Sequence, residues 1–353
     1  MLSRVEKFEV ALKQTECDAV LVTNLKNIYY LTGFSGTEAT VFISKNRRIF
    51  LTDSRYTLIA KGVVKGFDIV ETRDALSEIA KIIADDKIKT IGFDDEISYH
   101  SFKTLEELFS DYKLTAMTAF IENLRMIKDE GEIATIRKAC QISDQAFLDV
   151  LDFIKPGQTT ELQVMNFLDA RMRQLGASGA SFDFIIASGY RSAMPHGVAS
   201  EKVIQTGETL TMDFGCYYNH YVSDMTRTIH VGHVTDEERE IYDIVLRSNQ
   251  ALIEAAKAGM SRIEFDQVPR KVINDTGYGQ YFTHGIGHGI GLDIHEIPYF
   301  GKSSEPIEAG MVLTDEPGIY LDGKYGVRIE DDILITDTGC ELLTLAPKEL
   351  IVI

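Results

Sequence analysis

The chain has 353 residues, of which 44% are hydrophobic and 25% are charged, and these values predict a globular protein of one or two domains. Its 36 basic and 54 acidic side chains give a net charge of −18 without any compensating basic stretch, which argues against nucleic acid or an anionic membrane as partner. The chain shows no apolar signal-peptide segment, no apolar run of the roughly 20 residues that span a bilayer, and no CxxC pair among its four cysteines. A cytoplasmic protein with reduced cysteines is therefore expected.

The first part of the chain alternates short helical and strand patterns. Helical periodicity predicts helices at Val5–Gln14, Leu58–Val64, Ala75–Ile83 and Phe102–Leu108. Runs of β-branched and apolar residues predict strands at Ala19–Val22, Thr40–Ile43, Ile49–Thr52, Asp68–Glu71 and Thr90–Phe93. Such alternation is typical of a small α/β domain with a mixed sheet.

Longer helices and then a strand-rich segment follow, which indicates a second domain. Helices are predicted at Glu130–Phe153, Thr160–Leu175, Glu237–Ala256 and Arg262–Ile273, and β structure dominates from Ser181 onward. The change in pattern lies in the segment 116–128. We therefore predict two domains, residues 1–122 and residues 123–353.

Four carboxylates and one histidine stand out in the second domain: Asp213 in TMDFG, Asp224 in VSDMTRT, His288 in HGIGHGIG, Glu316 in TDEPGIY and Glu330 in VRIEDD. Oxygen ligands with one imidazole suit two hard or borderline divalent cations that share ligands. Manganese is expected from the carboxylate-rich set, with zinc, cobalt and iron as alternatives. Two such ions can activate a bridging water as hydroxide and polarise a carbonyl, so the motifs predict a two-metal hydrolase.

Two predicted hairpins would bring the four acids together. A turn centred on Tyr218-Asn219 would place Asp213 opposite Asp224. A turn centred on Gly323 would place Glu316 opposite Glu330. Like charges in opposed positions repel each other, and a divalent cation between them would remove that repulsion.

Each motif alone also has an ordinary structural interpretation. An isolated aspartate on a strand is more often a turn or edge residue, a single histidine is more often a hydrogen-bonded structural residue, and GHGIG can be a tight turn. The alternating glycines around His288 allow close approach of the backbone to a site. Only the ordered combination of the motifs favours a metal centre over these interpretations.

This ordered set resembles the pita-bread metallopeptidase family, which includes methionine aminopeptidase, aminopeptidase P and the Xaa-Pro dipeptidases. The segments NIYYLTGFSGT and FLTDSRYT are similar to the N-terminal domain of aminopeptidase P, prolidase and creatinase. The resemblance implies an α/β N-terminal domain followed by an α+β pita-bread catalytic domain. It also implies a homodimer. Creatinase lacks the metal ligands, and all five are present here, so the resemblance favours a peptidase.

The resemblance also assigns roles to individual residues. Asp213, Asp224, His288, Glu316 and Glu330 would bind two divalent metal ions, with Asp224 and Glu330 as bridging ligands. His196, His284 and His295 would contact the substrate, and Arg328 would hold the acidic cluster in place. Glu316 would pass a proton to the leaving imino nitrogen, while His295 or His196 would stabilise the oxyanion.

The implied substrate is a peptide with proline at its second position. Proline carries no N–H, so a specialised apolar slot is needed in place of a backbone hydrogen bond. Prolidases of similar length tend to carry His-Glu-x-Pro-Arg, and this arginine suits a terminal carboxylate. Here Tyr299 stands at that position. We therefore predict an aminopeptidase P, with Xaa-Pro dipeptidase as the nearest alternative and a binding protein without turnover as a third, disfavoured one.

Overall fold

The structure is a computed structural model that describes residues 2–84 and 86–353. Its contacts divide the chain into two compact units, the first ending at Arg125 and the second running from Met126 to Ile353. Among the described residues, none of the helices combines the length and the apolar character needed to cross a membrane.

The first unit has the predicted α/β character. Its helices are α1 (Arg4–Leu12), α2 (Leu25–Thr32), α3 (Thr57–Val63), α4 (Ala75–Ile83), α5 (Tyr99–Leu108) and α6 (Phe120–Arg125). Its strands are β1 (Ala19–Val22), β2 (Thr40–Ser44), β3 (Arg48–Thr52), β4 (Asp68–Glu71), β5 (Thr90–Phe93) and β6 (Lys113–Ala116). They form a sheet in the order β4-β3-β2-β1-β5-β6, with parallel and antiparallel pairs, so the predicted mixed sheet is confirmed.

Helix α2 was missed because its sequence, LKNIYYLT, is short and rich in residues that also favour strands. Its ends supply the missing signal. Asn24 caps the first turn through its side chain, and Gly33 ends the helix at a φ of 73°, which glycine adopts without strain. Packing then decides the helix, since Ile28, Tyr30 and Leu31 are buried.

The helices of the second unit agree with the predicted positions. They are α7 (Glu130–Phe153), α8 (Glu161–Gln174), α9 (Asp236–Ala255) and α10 (Arg262–Asp275). Each begins with a capping box, in which an N-cap side chain and a residue three positions later exchange hydrogen bonds. These caps are local sequence signals, which explains why the predicted starts fall within a residue or so of the observed ones.

The strands of the second unit are short. They are β7 (Gly179–Ala180), β8 (Ile185–Ser188), β9 (Thr209–Phe214), β10 (Cys216–Tyr218), β11 (Tyr221–Val222), β12 (Met225–His230), β13 (His288–Gly289), β14 (Glu296–Tyr299), β15 (Val312–Asp315), β16 (Gly318–Leu321), β17 (Tyr325–Arg328), β18 (Asp331–Ile335) and β19 (Cys340–Leu342). They pair as β12-β9-β8, β14-β13-β15-β18-β19, β11-β10-β7 and β16-β17.

Two hydrophobic cores support these strands. In one core, Phe147 of α7 and Leu168 of α8 are buried with side chains of β8, β9 and β12. In the other, Val245 of α9 and Phe265 of α10 are buried with side chains of β15, β16, β17 and β18. The strands of these two cores meet within the second unit where the Glu330 N–H donates to the Thr226 carbonyl at 3.1 Å. The acidic motifs converge at this junction.

Candidate metal centre

The five predicted ligands line one cavity of about 460 Å³ in the second unit. Asp213 lies in β9 and His288 in β13, whereas the other three occupy the short breaks between strands. Asp224 precedes β12, Glu316 follows β15, and Glu330 follows β17. Strand ends carry these side chains, so the backbone on either side holds each of them in place.

The register predicted for the first hairpin was wrong by two residues. Asp213 pairs with Thr226 instead of Asp224. The reason is the turn, which is centred on Asn219 and His220, with φ values of 45° and 72°. Two successive positive φ values are the requirement of a type I′ turn. A shift of two keeps every side chain on its predicted face, so Asp213 and Asp224 still point into the same cavity, as diagonal neighbours.

The register predicted for the second hairpin is confirmed. Gly318 pairs with Arg328 and Leu321 pairs with Tyr325, so the turn is centred on Gly323, which has a φ of 71°. Glu316 and Glu330 lie just beyond the last pair of this ladder. They therefore approach each other at the open end of the hairpin.

The carboxylates surround the imidazole of His288. Its Nε2 atom lies 3.8 Å from Asp224 Oδ2 and 3.7 Å from Glu316 Oε1. Ligand atoms of Asp224, His288 and Glu330 all lie within 4.8 Å of one another. The Nδ1 atom of His288 lies 3.1 Å from the Gly289 carbonyl oxygen, which can only accept, so Nδ1 carries the proton and Nε2 presents a lone pair to the cluster.

The electrostatics of the cluster fit a bound cation. Burial, together with the neighbouring carboxylates, raises the pKa of Asp224 and of Glu330 well above the ordinary range. Burial also raises the pKa of Glu316 to about 8. Burial and the neighbouring His295 lower the pKa of His288 to about 4, so this imidazole is neutral at pH 7. A neutral imidazole and crowded carboxylates are the donor set of a divalent cation site.

The hydrogen bonding of Asp213 also fits a bound cation. Its Oδ2 atom accepts a hydrogen bond from Arg328 Nη2 at 2.6 Å. Its Oδ1 atom is buried and has no hydrogen-bond partner among the described residues. A buried carboxylate oxygen without a partner is costly, and a cation in the cavity would remove that cost. The residues present therefore fit the expected metal ions.

Arg328 makes the contacts that a residue holding the acidic cluster would make. Besides its bond to Asp213, its Nε donates to Thr226 Oγ1 at 3.0 Å, and that hydroxyl donates to Glu330 Oε2 at 2.6 Å. Its Nη1 donates to the Tyr320 hydroxyl at 2.8 Å. Thr226 and Tyr320 were not identified from the sequence. Thr226 could have been, because it lies two residues after Asp224 and a strand places such residues on one face.

The three predicted substrate-contacting histidines differ in their surroundings. His196 and His295 line the cavity, and the His295 ring centroid lies 4.3 Å from that of His288. His284 also lines the cavity, but its Nε2 lies 2.8 Å from the Tyr320 hydroxyl and its Nδ1 lies 2.8 Å from the Gly285 carbonyl. A contact between the His284 ring nitrogens and a substrate would require one of these hydrogen bonds to open.

Proteins of the same architecture have been solved from several organisms. The structure titled Xaa-Pro dipeptidase from Bacillus anthracis is 44% identical, covers 99% of both chains and superposes with a TM-score of 0.96. The X-Pro aminopeptidase from Thermotoga maritima is 39% identical and covers 98% of this chain and 100% of its own, with a TM-score of 0.91. The Xaa-Pro dipeptidase of Pyrococcus furiosus is 38% identical over 99% of this chain and 100% of its own length.

Two domain families match the sequence itself. Residues 4–127 match the creatinase/prolidase N-terminal domain, and residues 134–337 match metallopeptidase family M24. Together with the solved relatives, these matches confirm the predicted family and the α/β plus pita-bread architecture. The chain thus belongs to metallopeptidase family M24 and is a metal-dependent peptidase.

Proposed function

We propose that this protein is an Xaa-Pro dipeptidase, which hydrolyses the bond between a free N-terminal residue and a C-terminal proline. The observation that carries the proposal is the convergence of Asp213, Asp224, His288, Glu316 and Glu330 on one cavity that His196 and His295 also line. The substrate class follows from relatives that cover the whole chain and are named for Xaa-Pro bonds.

Five residues would hold two divalent cations in this proposal: Asp213, Asp224, His288, Glu316 and Glu330. Manganese is the expected metal, because four of the five ligands are carboxylates. When bound, the cations would supply an activated water and a Lewis acid for the scissile carbonyl. Arg328, through Asp213 and Thr226, would keep two of these carboxylates in the orientation that binding needs.

The remaining steps belong to the protein side chains. Glu316 lies largely buried on the cavity wall and would carry a proton to the leaving imino nitrogen. His295 and His196 line the same wall and would donate hydrogen bonds to the oxygen that becomes negative during attack. These roles need an open path to the substrate, and His295 is exposed.

A second candidate, aminopeptidase P, is favoured by Tyr299. This residue is 54% exposed on the cavity wall, at the position where prolidases of similar length tend to carry arginine. Arg328 is the sole guanidinium among the described cavity residues, and Asp213, Thr226 and Tyr320 already accept its hydrogen bonds. The names of the relatives favour the dipeptidase, and the solved X-Pro aminopeptidase keeps this second candidate open.

Three substrates separate the candidates: Ala-Pro, its C-terminal amide Ala-Pro-NH₂, and the tripeptide Ala-Pro-Ala. A dipeptidase should have a kcat/KM for Ala-Pro at least about tenfold above that for the amide and the tripeptide, because only Ala-Pro ends in a carboxylate on proline. A preference for the tripeptide would establish the aminopeptidase instead. Failure to cleave any of them after loading with Mn²⁺ would refute both candidates.

The metal and the assembly are tested separately. Removal of metal by a chelator should abolish hydrolysis, and Mn²⁺ should restore it better than Zn²⁺, Co²⁺ or Fe²⁺. The homodimer and the cytoplasmic location stay predictions. Light scattering of the purified protein tests the first, and cell fractionation tests the second.

A further inference from the structure

The loop that carries His196 is held by one buried carboxylate outside the metal cluster. This loop, residues 189–199 and hereafter the His196 loop, follows β8 and contributes Pro195, His196 and Val198 to the cavity wall. It begins with a 3₁₀ turn, Gly189–Ala193, and the rest is irregular apart from a single β-bridge between Val198 and Ile185. A loop without a strand ladder needs other anchors to place a histidine reproducibly.

Both ends of the His196 loop attach to Glu161, the first residue of α8. At the start of the loop, Glu161 Oε1 accepts from the Ser188 N–H at 2.8 Å and from the Ser188 hydroxyl at 2.9 Å. At its end, Glu161 Oε2 accepts from the Ser200 N–H at 3.1 Å and from the Ser200 hydroxyl at 2.6 Å. One carboxylate thus closes the loop.

A fifth hydrogen bond extends this clamp across the loop. Arg191 Nε donates to Glu161 Oε2 at 3.0 Å, and Arg191 Nη2 donates to the Val198 carbonyl at 2.6 Å. Val198 lies two residues after His196 and also lines the cavity. Glu161 is fully buried, so its hydrogen bonds are poorly screened by solvent and are the stronger for it.

The inner edge of the loop is connected to the acidic cluster. The Pro195 carbonyl accepts from Arg328 Nη1 at 3.2 Å, and the Ser192 hydroxyl accepts from the Gly326 N–H at 2.9 Å. Arg328 in turn binds Asp213. The loop is therefore held on one side by β17 and on the other by Glu161, with His196 between these two attachments.

We propose that Glu161 is a positioning residue for the reaction, because it holds His196 at the cavity through the ends of its loop. The inference rests on the proposed function, in which His196 contacts the substrate. A misplacement of about 1 Å at a reacting group can cost on the order of 100-fold in rate. Loss of the clamp is therefore expected to act on turnover while leaving the metal ligands in place.

The test uses Glu161→Gln, which keeps the side-chain shape but replaces one accepting oxygen with a donor. The matched control is Glu238→Gln, which alters a buried carboxylate in the first turn of α9 that accepts its hydrogen bonds from Thr235. We expect kcat/KM for an Xaa-Pro substrate to fall at least about tenfold in Glu161→Gln and less than about twofold in the control. Metal content should be unchanged in both.

A double-variant cycle with His196→Ala separates positioning from general loss of structure. If Glu161 acts through His196, the double variant should be within about twofold of His196→Ala alone, because the two changes remove one effect. Multiplied losses would overturn the proposal. Should Glu161→Gln fold poorly, Ser200→Ala removes a single donor to the clamp and should show the same coupling with a smaller loss.

Amide hydrogen exchange gives a readout that does not depend on the substrate. In Glu161→Gln, exchange should accelerate at Ser188, Ser200 and the His196 loop, and remain at the wild-type rate in α10. Unchanged exchange at Ser188, Ser200 and the His196 loop would overturn the clamp itself. If exchange is faster in Glu161→Gln but the wild-type protein cleaves no Xaa-Pro peptide, the proposed function is refuted and the clamp is still supported.

Discussion

Glu330 and Asp331 are adjacent, fully buried carboxylates, yet their surroundings shift their pKa values in opposite directions. Burial and then the carboxylates of Glu316 and Asp213 raise the pKa of Glu330 well above its ordinary range. Burial also opposes ionisation of Asp331, but the Arg227 guanidinium and the Lys348 ammonium outweigh it and lower the pKa of Asp331. The difference lies in the partners, because both side chains are equally removed from water.

Glu330, which precedes β18, and Asp331, which begins it, therefore illustrate two ways to bury a charge. Asp331 accepts from Arg227 Nη2 at 2.8 Å and from Lys348 Nζ at 2.6 Å, with Asn249 and Thr344 as further donors. Asp331 and these four partners form an ion-paired network that consists of protein side chains alone. Glu330 faces acids across the cavity, and a complete network there requires cations from outside. The incomplete compensation at Glu330, which lines the cavity, is what a bound cation would complete.

The largest expected effect comes from Glu330→Gln. We expect hydrolysis to fall by roughly 10³-fold or more, and metal content to fall, since a shared ligand charge is lost. The metal-free protein should be no less stable than wild type, because a neutral amide replaces a side chain whose charged form the cluster disfavours. Activity, elemental analysis and urea unfolding measure the three quantities. The matched control is Asp322→Asn, an exposed acid in the turn of the same hairpin, which should leave all three unchanged.

Asp331→Asn should show the reverse pattern. It leaves Arg227 and Lys348 without their buried carboxylate, and breaking such a network costs about 3–5 kcal/mol of unfolding free energy. Metal stoichiometry in the folded protein should stay at the wild-type value. Glu341→Gln is the control, since its ion pair with Arg137 is largely exposed and should contribute less than about 1 kcal/mol. Similar losses in the two variants would contradict the proposed difference between the clusters.

The third effect is a pH dependence that appears once the metal is removed. Burial raises the pKa of Glu316 from 4.5 to about 8, so the folded protein holds this proton more tightly than the unfolded chain does. The resulting stability is complete below pH 4.5 and is lost as the pH rises towards 8. Asp224 and Glu330 shift in the same direction.

Urea unfolding of the chelated protein at several values between pH 5 and pH 8 tests this dependence. The unfolding free energy should decrease with pH, by up to about 1.4 kcal/mol per unit for each such group. Added Mn²⁺ should cancel the decrease, because metal binding replaces the protons. A metal-free protein that becomes more stable towards pH 8 would show that the acidic cluster is compensated without a cation.

The two hairpins show when local sequence signals are enough to predict the register of paired strands. The register of the second hairpin followed from the turn around Gly323, because one glycine with a positive φ determines where the strands reverse. In the first hairpin, non-glycine residues, Asn219 and His220, adopt the positive φ values, and the sequence offers a neighbouring alternative. The prediction chose that alternative. It kept the correct face, because strand periodicity survives a shift of two residues.

The sequence by itself determined the chemical type of the proposed ligands, their order and most helix starts. These depend on side-chain identity and on signals within a few residues, such as capping boxes. Only the tertiary structure decided the contacts of Thr226 with Arg328 and Glu330, the engagement of His284 by Tyr320, and the clamp of Glu161 on the His196 loop. Most of these join residues far apart in the chain. They arise because two cores pack their strands against each other, and periodicity along one segment carries no record of that packing.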